Sequence, residues 1–181
     1  MEPLMNNKEK ELFRSILNRK SDQDYLEYGS GGSTVWACNN QNIKSVTSVE
    51  VDASWIEAIK QQSLITCPTF FNPGYAYGAY GSPVDKTEKE KFEMYSAGIT
   101  GLFDIVLVDG RFRVACAARA YNLLKEDGVL IMHDYIEARK EYKNIEKLYE
   151  ITHKADSLIA AIKIPGRDYL ELWYEFKHSG R

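Results

Sequence analysis

The stretch from which the fold can be inferred is Asp24-Tyr-Leu-Glu-Tyr-Gly-Ser-Gly-Gly-Ser-Thr34. The aromatic and aliphatic residues before Gly29 are typical of a buried strand. The glycines that follow allow the backbone to turn tightly and to approach a ligand without an intervening Cβ atom. Ser33 or Thr34 can then cap a helix. A strand, a glycine turn and a helix in this order direct backbone N–H groups to the mouth of a sheet, where nucleotide-like ligands usually bind.

The charge and the spacing of this turn favour one kind of ligand. Glu27 lies in the strand shortly before Gly29, and a carboxylate there suits a cationic ligand better than a pyrophosphate. The dinucleotide pattern G-x-G-x-x-G fits poorly, because its last position, counted from Gly29, is occupied by Thr34. A glycine-rich turn is also compatible with a plain structural role, so the interpretation depends on the rest of the chain.

Length, charge and cysteine content define the class of protein. The 181 residues suit one domain, 1–181, which begins with a helix within 1–20. The net charge of -3 predicts neither a nucleic acid nor a membrane as partner. Cys38, Cys67 and Cys116 lack C-x-x-C spacing, so buried thiols in a reducing compartment are expected rather than disulfides or a zinc site. No signal sequence or membrane-spanning run is recognisable, and a cytoplasmic protein is expected.

A second strand is predicted for residues 45–51, which are rich in β-branched side chains. Glu50, near its end, follows the glycine turn by about twenty residues, the spacing that brings a carboxylate to the ribose hydroxyls of a bound nucleoside. Asp52 is the alternative for this role, and a solvated Glu50 is the structural alternative. Ser54–Glu57 has the pattern of a capping box that opens a short helix.

Residues 72–101 are predicted to form an insertion loop after a third strand within 64–71. Gly and Pro are too frequent at its start for a helix or a strand. Loops of this length are usually functional or disordered, and Tyr75, Tyr77 and Tyr80 argue against disorder. The hypothesis is that the loop forms a lid or wall over the substrate, and an ordered surface loop is the alternative.

The clearest strand is Phe103-Asp-Ile-Val-Leu-Val-Asp-Gly110. Its continuous apolar run is typical of a central parallel strand that is covered on both faces. It ends in Asp109, at the edge of a sheet where ligands bind. A helix is predicted after Arg113, followed by a fifth strand at 129–132 that ends in His133-Asp134.

The last part of the chain is predicted to contain one more helix and a β-hairpin. Two strands, 158–164 and 169–176, are expected to pair across a Pro-Gly turn. Alternating strands and helices predict an α/β fold with a doubly wound, mostly parallel sheet. The expected helix rests on apolar residues that share one helical face: Tyr142, Ile145, Leu148 and Tyr149.

Three motifs resemble those of the class I S-adenosylmethionine (SAM) dependent methyltransferases. Glu27-Tyr-Gly-Ser-Gly-Gly-Ser-Thr34 is similar to the E/D-x-G-x-G-x-G motif, with Ser33 at the third glycine. Ser48–Asp52 and the segment 103–135 carry the other two. The resemblance covers residues 24–176 and is strongest to small stand-alone methyltransferase-like proteins of unknown substrate. It implies a Rossmann-like, seven-stranded sheet that closes with an antiparallel hairpin.

The resemblance implies SAM as the cofactor. The first motif would hold the methionine end of SAM and the second its ribose, while Asp109 would stand beside the methionine or the substrate. The cofactor-binding residues implied in this way are Glu27, Gly29, Ser30, Gly31, Ser33, Glu50, Val51 and Asp109.

Asp109, His133 and Asp134 are the candidate catalytic residues. His133 could act as a general base toward a hydroxyl, because its unperturbed pKa lies near neutral pH. Alternatively, Asp109 and Asp134 could chelate a divalent cation, as in the metal-dependent O-methyltransferases. The carboxylates are too few for a metal site to be predicted, and none is assigned. A packing role for His133 is the structural alternative.

Arg111 and Arg113 are candidates for binding an anionic group of the substrate, with structural ion pairs as the alternative. Tyr77 and Tyr80 are further candidate substrate contacts. The predicted function is methyl transfer from SAM to a small-molecule or sugar-like acceptor, at oxygen. An NAD-linked oxidoreductase and a catalytically inactive SAM-binding interaction module are the alternatives. The prediction allows for a homodimer.

Overall fold

Seven strands form one mixed sheet in the computed structural model, which describes residues 1–180. The strands are β1 (Gln23–Tyr28), β2 (Ile43–Val49), β3 (Thr69–Phe71), β4 (Phe103–Val108), β5 (Leu124–Met132), β6 (Tyr149–Ala155) and β7 (Leu158–Lys163). Their order across the sheet is β3-β2-β1-β4-β5-β7-β6. β7 is antiparallel to both of its neighbours, and all other pairs are parallel. The predicted seven-stranded, mostly parallel sheet with a closing antiparallel hairpin is confirmed.

The two central strands, β1 and β4, explain why the sequence forms this sheet. They pair in parallel from Tyr25 opposite Ile105 to Tyr28 opposite Val108. Every residue of β4 is buried, as a strand covered on both faces requires. The chain leaves β1 toward β2 on one side and later returns to β4 on the other. The connections that follow β1 and β4 therefore run in opposite directions, and a crevice opens between them at the carboxyl ends of the two strands.

Helices cover both faces of the sheet. They are α1 (Asn7–Leu17), α2 (Gly32–Cys38), α3 (Ala53–Lys60), α4 (Lys89–Ala97), α5 (Arg113–Leu123) and α6 (Leu170–Phe176), with 3-10 helices at Ala79–Gly81 and Lys140–Lys147. Successive residues of β4 point to opposite faces, so Ile105 packs with α1 and α2 and Val106 with α4, α5 and α6. No helix within residues 1–180 is long and apolar enough to cross a membrane.

The predicted hairpin is correct in kind but wrong in position. The strands that pair are β6 and β7, joined at Asp156, which has a φ of 47°. The residues expected to form the second strand, 169–176, contain α6 instead, and its buried Leu172 packs on the α5 side of the sheet. The strand preference of aromatic residues depends on their packing partners, and here the partner is a helix.

The helix predicted around Tyr142 and Ile145 is a short 3-10 helix, and Tyr149 belongs to β6. The predicted insertion loop 72–101 contains α4 in its second half. β3 is limited to three residues, much shorter than the expected strand within 64–71.

The expected capping box at Ser54–Glu57 does not open α3. Asp52 is the N-cap, because its carboxylate accepts hydrogen bonds from the N–H groups of Ser54 and Trp55 at 2.9 and 3.1 Å. An aspartate at the N-cap satisfies the free N–H groups of a first helical turn.

Candidate cofactor and acceptor site

A cavity of about 1050 Å³ opens at the carboxyl ends of β1, β2, β4 and β5. The sequence-predicted site residues converge there although they come from distant parts of the chain. Those that line the cavity are Gly29, Ser30, Gly31, Ser33, Glu50, Val51, Tyr77, Tyr80, Asp109, Arg111, Arg113, His133 and Asp134. The one predicted site residue outside the lining is Glu27.

The glycine turn after β1 fits closely against the turn after β4. Gly29 has a φ of +89°, and a Cβ atom there would lie 2.4 Å from Cα of Gly110. No other residue type allows both this dihedral angle and this approach. Gly31 is the N-cap of α2, and its N–H donates to Oγ1 of Thr34 at 2.9 Å. Thr34 therefore lies inside the helix and is not the N-cap, which corrects the expectation that Ser33 or Thr34 would cap it.

Glu27 lies behind the glycine turn and has no exposed surface. Its carboxylate accepts hydrogen bonds from the hydroxyls of Tyr25 at 3.2 Å, Thr34 at 2.8 Å and Ser33. Burial outweighs these hydroxyl donors and raises the pKa of Glu27 to about 8. In this position Glu27 holds α2 against β1, and direct contact with a ligand stays a prediction.

Glu50 connects the end of β2 to the glycine turn. One carboxylate oxygen accepts from the N–H and the hydroxyl of Ser30 at 3.1 and 3.0 Å. The other accepts from the N–H groups of Val51 and Asp52 at 2.7 and 3.1 Å. The three backbone donors orient the carboxylate along the cavity wall.

The first part of the insertion loop, residues 72–83, contains Tyr75, Tyr77 and Tyr80. It forms the wall of the cavity on the side of Val51 and Asp52. Tyr75 is buried, and its hydroxyl donates to the carbonyl of Gly81 at 2.8 Å. The Asn72 amide donates to the carbonyl of Val51 at 3.0 Å. Tyr77 and Tyr80 line the cavity next to the residues that are expected to bind the cofactor. Their contact with a substrate stays a prediction.

Arg113 holds the ends of β4 and β5 together. Its Nε donates to the carbonyl of Gly110 at 2.9 Å, and Nη1 and Nη2 donate to the carbonyls of His133 and Asp109 at 2.6 and 3.0 Å. Nη2 also contacts Oδ1 of Asp109 at 3.2 Å, and Nη1 contacts Oδ2 of Asp134 at 3.0 Å. Arg113 therefore connects the backbone and the carboxylates at the ends of the two strands, and its role in binding a substrate stays a prediction.

Arg111 lines the cavity in a different way. Its Nη2 donates to the carbonyl of Gly180. Its Nε is buried and has no hydrogen-bond partner within residues 1–180. A role in binding an anionic group stays a prediction for Arg111.

Asp109, His133 and Asp134 lie close enough for one atom of each to fall within 4.8 Å of the others. Arg113 is inserted among them, and Arg139 contacts Oδ2 of Asp134 at 3.1 Å. Because these guanidinium groups already neutralise both carboxylates, the arrangement disfavours a divalent cation that would need the same oxygens.

Comparison with solved structures gives matches over nearly the full chain. A methyltransferase-like protein from Silicibacter pomeroyi is 27% identical, with a TM-score of 0.81 over 99% of this chain and 98% of that one. A TehB-like SAM-dependent methyltransferase from Corynebacterium glutamicum is 13% identical, with a TM-score of 0.55 over 87% of this chain and 88% of that one. This chain has the class I SAM-dependent methyltransferase fold.

The same fold occurs in a ribosomal protein L11 methylase from Lactobacillus delbrueckii subsp. bulgaricus. That enzyme is 16% identical, with a TM-score of 0.58 over 88% of this chain and 79% of that one. Methyltransferases of this fold therefore include one with a protein acceptor, and the fold does not define the acceptor. No protein-family model and no curated protein sequence matches the chain.

Three parts of the site are not predicted from the sequence. Residues 1–5 line the cavity beside the glycine turn. Arg139 lines it near Asp134, and Glu9 of α1 reaches His133. Glu9 sits in a capping box with Asn6, a pattern visible in the sequence, but its contact with His133 depends on how α1 packs.

Proposed function

We propose that this chain is a SAM-dependent methyltransferase. The observation that carries the proposal is the hydrogen bonding between Ser30 of the glycine turn and the Glu50 carboxylate. This contact lies at the crevice between the connections that follow β1 and β4. Such crevices are the usual ligand site of open α/β sheets. The fold shared with SAM-dependent methyltransferases supports SAM rather than NAD as the ligand.

The residues on either side of this crevice fit the two ends of SAM. At Gly31 an added Cβ would meet only Oγ of Ser33, at 4.0 Å, so the turn leaves open space for a ligand against its backbone. On the other side, the Ser30 hydroxyl is the only side-chain donor to Glu50 among the described residues 1–180. Ribose hydroxyls can replace this rotatable donor, while the backbone N–H groups keep the carboxylate in place.

The acceptor is proposed to bind at the end of the cavity that carries Asp109 and Arg139. A volume of about 1050 Å³ lies at the upper end of the roughly 300–1,000 Å³ typical of ligand pockets, which supports a small-molecule acceptor beside the cofactor. When bound, SAM supplies a methyl group that leaves the sulfonium for the acceptor oxygen, while the C–S electron pair stays on sulfur. The chain holds the acceptor in line and accepts its hydroxyl proton.

Calorimetric titration with S-adenosylhomocysteine tests this function. We expect binding to the wild type, and at least about tenfold weaker binding to Glu50→Ala, because the variant loses charge-assisted hydrogen bonds to the ribose. Glu57→Ala is the matched control, since Glu57 is exposed in α3 and pairs only with Lys60. A parallel titration with NAD separates the cofactor classes.

Two outcomes would count against the proposal. If the wild type does not bind S-adenosylhomocysteine, the function is wrong, and NAD binding would favour the oxidoreductase alternative. If Glu50→Ala binds as tightly as the wild type, the role of Glu50 is wrong although the function stands. Where binding is found, formation of S-adenosylhomocysteine from SAM can be followed with hydroxyl compounds as acceptors.

A further inference from the structure

His133 lies between two carboxylates that belong to opposite parts of the chain. Its Nδ1 is 3.1 Å from Oδ1 of Asp109, and its Nε2 is 3.6 Å from Oε2 of Glu9. The side chain of His133 is only 12% exposed, and that of Glu9 only 4%. Both ring nitrogens therefore face anionic groups, and neither is left for the acceptor.

Glu9 is itself held in place by neutral donors. Oε2 accepts from the N–H of Asn6 at 2.9 Å, which closes the capping box of α1. Oε1 accepts from the N–H and the hydroxyl of Ser157 at 3.0 and 2.6 Å, in the turn between β6 and β7. The capping box uses only one oxygen. That oxygen, Oε2, is also the one nearest Nε2 of His133, and the capping of α1 does not by itself require this contact.

We propose that Glu9 is a positioning residue that holds the His133 ring against Asp109, so that Asp109, and not His133, faces the acceptor as the proton-accepting group. The role of Asp109 rests on the proposed methyltransferase function. The positioning of His133 by Glu9 does not depend on that function.

The hydrogen bonds of Asp109 support this division of roles. Oδ1 of Asp109 contacts both Nδ1 of His133 and Nη2 of Arg113. Oδ2 has no partner within residues 1–180, and Asp109 lines the cavity. One oxygen is thus held by His133 and Arg113, while the other is free to accept the proton of a bound hydroxyl.

The charges around His133 also favour a protonated ring, which supports the same division of roles. Burial lowers the pKa of His133, but the carboxylates of Asp109, Asp134 and Glu9 outweigh burial and raise it above its ordinary value. Arg113, which binds the carbonyl of His133, is the cation that faces it from α5. Hydrogen bonds from Ser157 and Asn6 hold the pKa of Glu9 below its ordinary value against the opposing effect of burial. A protonated ring can donate to both carboxylates and cannot act as a base.

The test is a pH titration of the histidine rings by ¹H–¹⁵N NMR on the full chain, with no ligand added. In the wild type, we expect His133 to keep both nitrogens protonated above the ordinary histidine pKa of about 6.5, because the carboxylates around it raise its pKa. In Glu9→Gln, the pKa of His133 should fall by roughly one unit, because an anion within salt-bridge distance is lost. Gln still closes a capping box, so α1 should remain intact.

Glu11→Gln is the matched control, because Glu11 is exposed on the same helix. It should leave the His133 titration unchanged, and Glu9→Gln should keep its affinity for S-adenosylhomocysteine. An unchanged His133 pKa in Glu9→Gln would overturn the proposal. If Glu9→Gln does not fold, the wild-type titration decides alone, since a His133 that titrates at or below about 6.5 would also overturn it.

Discussion

The three carboxylates around the glycine turn and the ends of the strands differ in what holds them. Glu50 accepts backbone N–H groups, and Asp109 is paired with Arg113 and His133. Glu27 has only hydroxyl donors and no cation in contact within residues 1–180. Burial therefore dominates at Glu27, and its protonated form is favoured in the folded state.

Replacing Glu27 by Gln should remove a pH dependence of stability. The pKa of Glu27 is raised from 4.5 to about 8 in the folded protein, so the native state holds a proton that the unfolded state has lost between these values. The free energy of unfolding of the wild type should therefore fall as pH rises through this window, by up to about 1.4 kcal/mol per pH unit from this group.

The measurement is chemical denaturation of the wild type and Glu27→Gln at pH values from 5 to 9. We expect the stability of the variant relative to the wild type to improve steadily toward high pH. A stability difference that stays constant across the range would show that Glu27 is ionised throughout and would contradict its raised pKa.

At the level of elements, the N-terminal segment packs directly against the glycine turn. Residues 1–5 line the cavity, and the N-terminal amino group donates to Gln62 at 2.5 Å. A Cβ atom on Gly32 would lie 2.2 Å from the carbonyl carbon of Glu2. The absence of a side chain at Gly32 is thus needed for the passage of the N-terminal segment over α2.

Gly32→Ala should destabilise the protein by about 1–3 kcal/mol, because the atoms it meets belong to the backbone and must shift. Gly31→Ala is the matched variant in the same turn. Gly31 has an extended φ of -175°, and its Cβ would contact nothing closer than 4.0 Å.

Thermal unfolding of both variants provides the measurement. Proteolysis near the N-terminus should also become faster in Gly32→Ala alone. Equal stability of the two variants would contradict the packing of residues 1–5 against Gly32.

In the whole molecule, the candidate site lies at one edge of the sheet, and a buried carboxylate with its ion pairs stabilises the opposite edge. The cavity lies at the carboxyl ends of the strands. At the other edge, the buried carboxylate of Asp104 contacts Lys20 and Lys125 at 2.7 Å each and accepts the N–H of Asp24 at 2.8 Å. Burial opposes ionisation of Asp104, but these donors outweigh it and lower its pKa to about 2.

Asp104→Asn should lower stability by about 2 kcal/mol at neutral pH and leave the affinity for S-adenosylhomocysteine unchanged. Since the folded pKa lies below the unfolded value of 3.8, this contribution is present above that value and is lost as pH falls toward 2. The stability difference between wild type and variant should therefore narrow in acid.

Asp127→Asn serves as the control in the denaturation and binding measurements, because Asp127 also pairs with Lys20 but is 64% exposed. It should change stability by less than about 1 kcal/mol. Loss of ligand affinity in Asp104→Asn would contradict the separation of the two edges.

The α/β class, the central strands and most residues of the site are predictable from the sequence alone. Strand β4 is recognisable because burial on both faces requires an unbroken apolar run. The glycine turn and Glu50 are recognisable because the geometry of a strand–turn–helix unit relates spacing to position. These signals are local, because each lies within one strand and its turn or within one strand–helix–strand unit.

Features that depend on contacts between distant segments could not be predicted from the sequence and become visible in the folded chain. The aromatic residues at 169–176 form a helix because α5 offers them a surface. Arg113 holds the ends of β4 and β5 together because the carbonyl groups there converge on it. Glu9 reaches His133 only because α1 packs beside the β6–β7 turn. Propensity and spacing are properties of a segment, whereas these roles arise from the partner that packing supplies.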